Sequence, residues 1–74
     1  MAAGRIAAIG ERVEVEGLGL AGVLVRSAED PDEVLVAWRS LPPDVALVIL
    51  TPAAACVVPA QPPGSLPLTA VLPV

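Results

Sequence analysis

Two stretches of the chain are apolar almost without a break: RIAAIG at residues 5–10 and VALVIL at residues 45–50. Continuous apolar runs of this length predict strands buried on both faces, as in a parallel sheet, and the second run is expected to be central. VLVR, at residues 23–26, is short and β-branched and predicts another strand. LTAVLPV, the final stretch, predicts a strand over residues 68–72. Between the first two strands, RVEVE alternates apolar and charged, a strand period. On a helix, however, Val13, Gly17, Leu20 and Ala21 form one stripe with Glu14 facing away, and the helical reading is preferred. Gly22 then stands where a helix ends on a left-handed residue.

The clearest helical signal follows. Asp30 is a good N-cap, Pro31 suits the first helical position, and Glu33 completes a D-x-x-E box. Val34, Trp38 and Leu41 make an inward stripe, and Pro42 and Pro43 stop the helix. Thr51 and Pro52 open a third, short helix that Pro59 ends. The order β-α-β-α-β-α-β implies an α/β fold: a small doubly wound parallel sheet of four strands, order 2-1-3-4, Rossmann- or receiver-like, in one domain over residues 1–74.

Composition narrows what such a domain can do. A chain of 74 residues buries only about 60% of the surface it exposes when unfolded, so its stability margin is thin. One cysteine, Cys56, rules out an internal disulfide, and the absence of histidine leaves no zinc site of the usual kind. Extra stability is expected from packing or from a protein partner. Trp38 is the one aromatic residue, so the core must be aliphatic. The net charge of −4, with four arginines and no lysine, argues against nucleic acid and against anionic lipid as partners. No segment reads as membrane-spanning or as a signal peptide, so a cytoplasmic location is expected.

GLGLAG at residues 17–22 spells G-x-G-x-x-G, the dinucleotide pattern. In that motif the first glycine follows a strand directly and the helix begins inside it. Here the glycine after the strand is Gly10, and Gly17, Gly19 and Gly22 fall within or at the end of the first helix. Helix–sheet packing is the better reading. Glu11, Glu14 and Glu16 read as a solvated face, and Glu29, Asp30 and Asp32 as a favourable helix start. Cys56, within a run of alanines, is expected to be a small buried apolar residue, and Trp38 a core residue. Ser27, Ser40 and Ser65 have no base to activate them. Receiver chemistry is absent too, because the third strand ends Leu50-Thr51-Pro52 with no aspartate and no lysine exists. No catalytic residue, metal or cofactor is expected.

The succession IGERVEVEGLGLAGV, AEDPDEV, VALVILTPA and LTAVLP resembles the F-subunit family of the V/A-type (vacuolar/archaeal-type) rotary ATPases, or ATP synthases. Gly17, Leu20, Ala21 and Gly22 match a G-x-x-L-A-G segment. Glu29, Asp30, Pro31, Asp32 and Glu33 match an acidic helix start. Residues 45–51 match the third strand, and Leu72 and Pro73 the end of the fourth. The resemblance runs from Ile6 to Pro73. It departs at Leu18 and Gly19, where the family often carries Phe and Arg. Family members also continue past the fourth strand into a C-terminal helix, whereas this sequence stops at Val74, so a short form is expected.

The resemblance implies a non-catalytic central-stalk component that binds the coiled-coil shaft subunit, turns inside the catalytic head and contributes to rotary coupling or to control of ATP hydrolysis. It implies a location peripheral to the membrane within that complex, without insertion. Interface residues do not follow from the motifs. In open α/β sheets the carboxyl edge of the strands is the usual functional edge. That edge gives Glu11 and Arg12 after strand one, Ser27, Ala28 and Glu29 after strand two, and Thr51, Pro52 and Ala53 after strand three. The competing function is a free-standing α/β ligand-binding module using the same loops, with a nucleotide as ligand. Its missing phosphate-loop context and missing second half-site separate it from the stalk reading.

Overall fold

The computed structural model describes residues 4–17, 22–59, 61 and 64–73. Its elements are β1 (Arg5–Gly10), α1 (Arg12–Val15), β2 (Leu24–Ser27), α2 (Pro31–Arg39), β3 (Val45–Leu50), α3 (Pro52–Ala55) and β4 (Leu68–Val71). The four strands form one sheet in the order β2-β1-β3-β4, and every pairing is parallel. This is the small doubly wound α/β arrangement expected from the alternation of strands and helices.

The local signals explain most of the elements. The Asp30 side chain accepts a hydrogen bond from the Glu33 amide at 2.9 Å, and Pro31 opens α2. The Glu33 carboxylate reaches back to the amide of Glu29 at 2.7 Å, one residue before the cap. Thr51 caps α3 by accepting from the Ala54 amide at 3.3 Å. Arg5 begins β1 with a bidentate pair to Asp44, at 2.8 and 3.1 Å, joining the starts of β1 and β3. Gly22 has φ of +82°, the left-handed conformation expected there, but it does not end the first helix as expected, because α1 stops at Val15.

The main core lies on one side of the sheet. Ala7 and Ile9 of β1 and Val48 and Leu50 of β3 pack there against Val34 and Ala37 of α2 and Ala54 of α3. Trp38 and Leu41 pack against this core while only partly buried. Ala37 takes the inward place beside Val34, a position the predicted stripe of Val34, Trp38 and Leu41 had omitted.

Four expectations are corrected. First, α1 is one turn, followed by a short 3₁₀ stretch at Glu16 and Gly17. Val13, placed on the inward stripe, is 84% exposed, and Val15 is completely buried instead. Residues two apart on a helix point roughly 200° away from each other, so only one of these valines can face the sheet. The Arg12 amide is held by the Glu29 carboxylate, and this anchor at the first helical residue sets the rotation that selects Val15. Leu18, Gly19, Leu20 and Ala21, the rest of that stripe, lie outside the described residues. Second, β2 is displaced by one residue from the predicted 23–26, because its register on β1 pairs Ala7 with Leu24 and Gly10 with Ser27.

Third, Cys56 is exposed. Ala54 points into the core, and two residues later the single turn of α3 faces outward. Fourth, β3 is central in order but is not covered on both faces. Val48 and Leu50 are buried, whereas Leu47 and Ile49, on the opposite face, are only partly so. Parallel sheets are normally covered on both sides. Here α1 packs chiefly on β1 and β2, and on that side Leu47 and Ile49 of β3 stay half-buried while Leu68 and Ala70 of β4 are exposed.

Candidate functional site

In a parallel sheet all strands end at the same edge, and the register makes that edge compact. Ile9 pairs with Leu50, so Gly10-Glu11 at the end of β1 and Thr51-Pro52 just after β3 emerge side by side. The backbone knits them together. The Ala28 amide donates to the Gly10 carbonyl at 2.8 Å, and the Thr51 amide donates to the Ile9 carbonyl at 3.2 Å.

Side chains complete the arrangement. The Thr51 hydroxyl donates to Glu11 Oε1 at 2.6 Å while accepting from the Ala54 amide. The Arg12 amide donates to Glu29 Oε2 at 2.9 Å. Glu11 thus ties β1 to the start of α3, and Glu29 ties the start of α1 to the loop before α2. Gly10 is required by this contact: a Cβ there would overlap Thr51 Cγ2 and lie 2.8 Å from Thr51 Cβ. The Thr51 hydroxyl, aided by the backbone amide of Glu11 itself, holds the Glu11 carboxyl below its ordinary range, against the opposing effect of desolvation.

Of the expected interface residues, Glu11, Arg12, Glu29, Thr51, Pro52 and Ala53 are gathered at this edge, with Ser27 at the end of β2. They are not equally available. Thr51 is 1% exposed and Ala28 2% exposed, so both act in the frame of the edge and present almost no surface. Arg12, Ser27, Glu29 and Ala53 are exposed. Between α2 and α3 the edge holds a hollow of about 90 Å³ bordered by Glu11, Glu29, Asp30, Val34, Ala53 and Val57.

The hydrogen bonds at this edge hold its loops to one another. A carboxylate whose pKa is depressed is the wrong way from neutrality for a general base, and a buried hydroxyl already making two hydrogen bonds cannot reach a substrate. Among the described residues no group of three or more metal-ligating side chains comes together. Gly17 follows α1 and not a strand, so it lacks the setting of a phosphate loop; Gly19 lies outside the described residues. A broader groove beside edge strand β2 is lined by Arg12 and Arg26 but also by Glu29 and Glu33, so it carries no field of one sign. Among the described residues Arg26 Nε is buried without a hydrogen-bond partner.

Two features of the edge escaped the sequence reading: the Thr51–Glu11 bond and the dependence of Thr51 on Gly10. The signal for both is the equal placement of IG-Glu11 and IL-Thr51 at the ends of two apolar runs, which becomes a contact only once the strands are known to be neighbours. No helix among the described residues is long and apolar enough to cross a membrane. No known protein-family model matches this sequence, and no curated protein matches it.

Proposed function

We propose that the chain is a non-catalytic central-stalk component of a V/A-type rotary ATPase, binding the shaft subunit and contributing to rotary coupling or to control of ATP hydrolysis. The observation that carries this reading is the placement of the family-like motifs on the fold. The acidic EDPDE segment opens α2, VALVIL forms β3, and LTAV forms the edge strand β4 of a sheet ordered β2-β1-β3-β4. The partly open face of that sheet is a second support, because it suits a protein that spends its life docked on another. On this reading the chain works in the cytoplasm, at the membrane surface only through the complex that holds it.

The test is direct. The chain is mixed with the shaft subunit from the same source and examined by size-exclusion chromatography with light scattering, with NAD and ATP titrated separately as controls. A stable 1:1 complex without nucleotide binding is expected. Absence of a complex, together with saturable micromolar binding of a nucleotide, overturns the proposal in favour of a free-standing nucleotide-binding module.

A further inference from the structure

The register of the strands places Ile6, Leu47 and Leu68 in one row across β1, β3 and β4, and Ala8, Ile49 and Ala70 in the next. These residues face the side of the sheet that carries α1. Ala8 is fully buried, in the half of the sheet that α1 covers, whereas Ile6 is 40% and Leu68 52% exposed and Ala70 is also exposed. The helices α2 and α3 both pack on the other side, with Ile9 and Leu50. Among the described residues, the layer on this side is therefore incomplete over β3, where Leu47 and Ile49 are half-buried, and β4 is exposed here as it is at Thr69 and Val71 on its other face.

We infer that this open face is the docking surface for an aliphatic, amphipathic helix of a partner protein that carries lysine or arginine beside its apolar stripe. Architecture sets the helix: the faces of parallel sheets are closed by helices lying along them. Charge sets its sign. At one end of the face Arg5 is neutralised by Asp44. At the carboxyl end a hollow of about 460 Å³ is lined by Glu11, Val13, Glu14, Pro52, Ala53 and Pro73. The Glu14 side chain has no hydrogen-bond or ion-pair partner among the described residues, and Val13 beside it is exposed. The uncompensated charge at the rim is negative, and the whole chain carries −4, which opposes pairing of this face with a second copy of itself. The inference rests on the stalk reading for the identity of the natural partner, the shaft, and on the structure alone for the face and the partner's chemistry.

The experiment uses two probes and three variants, with binding followed by calorimetry. The first probe is the shaft subunit. The second is a helical peptide of about 18 residues with leucine on one face and lysine on the other, paired with a control in which glutamate replaces lysine. Leu68→Asp is placed at the β4 end of the row, Ile6→Ser at its β1 end is a second variant in case the first fails to fold, and Val36→Asp, 66% exposed on α2 across the sheet, is the control. Leu68→Asp is expected to weaken both the shaft and the lysine peptide about tenfold or more, although it adds negative charge; Val36→Asp leaves both unchanged. The glutamate peptide is expected not to bind.

If the shaft binds the parent chain, Leu68→Asp and Ile6→Ser alike, the face is overturned and the stalk reading stands. If the shaft does not bind but the lysine peptide does, and only through Leu68, the stalk reading fails and the face stands. A dimer of the parent chain that Leu68→Asp dissolves assigns the face to a second copy and overturns the inference, as does failure of both probes.

Discussion

Replacing Thr51 with valine keeps the shape of a side chain that is 1% exposed and deletes one oxygen. That oxygen does two things. It caps α3 by accepting from the Ala54 amide, and it donates to Glu11 at 2.6 Å. Loss of a threonine cap costs about 1 kcal/mol. Hydrogen bonds to charged groups contribute roughly 1.5–3 kcal/mol, but the Glu11 carboxylate is open to water and is resolvated when its partner goes, so about 1 kcal/mol is the appropriate share. The sum, about 2 kcal/mol, is a large part of the roughly 4–11 kcal/mol expected for a domain of 74 residues.

Thermal unfolding followed by circular dichroism should show Thr51→Val melting roughly 8–16 °C below the parent at neutral pH. The difference should also depend on pH. The folded-state pKa of Glu11 is lowered by the Thr51 hydroxyl, so its contribution is present in full above the ordinary carboxylate range and is lost as pH falls through the depressed value. The gap between parent and variant should therefore narrow in acid, leaving the cap term. A variant within about 0.5 kcal/mol of the parent at neutral pH, or a gap that does not change with pH, refutes this account of the strand edge.

Three further outcomes follow from the same geometry. Gly10→Ala drives a Cβ into Thr51 and should destabilise by about 2–3 kcal/mol in urea unfolding, with Thr51→Ala added in the same chain restoring part of the loss. Val13→Asp should stay within about 0.5 kcal/mol of the parent, whereas Val15→Asp, which buries an unpaired charge, should cost about 3 kcal/mol or more; equal effects would return α1 to the rotation expected from the apolar stripe. Cys56 should react with a thiol reagent in the native protein at a rate close to that of the unfolded chain, and strong protection would contradict its exposed position.

The parts of the fold that were legible in the sequence are those set by local physics. Asp30-Pro31 and Thr51-Pro52 each combine a capping side chain with a residue that prefers the first helical turn, and both helices start there. The parallel sheet and its strand order follow from apolar runs separated by helix-length segments. What was not legible depends on neighbours distant in sequence. The choice between Val13 and Val15 is made where Glu11 is held by Thr51 and the Arg12 amide by Glu29. The exposure of Cys56 depends on α3 being a single turn. The open half of the sheet was hidden because VALVIL reads the same whether one face or both are covered. At the candidate site the strand ends were foreseeable as a set, but the burial of Ala28 and Thr51 within it was not.

The most direct measurement of the central claim is an amide chemical-shift titration of the isotopically labelled chain with the unlabelled shaft subunit. The account predicts saturation at one shaft per chain, with the largest changes in β3, β4 and the start of β1 around Ile6, Leu47 and Leu68, and little change on α2. An unchanged spectrum in the presence of excess shaft would contradict the stalk function, and saturable changes confined to α2 would contradict the assignment of the docking face.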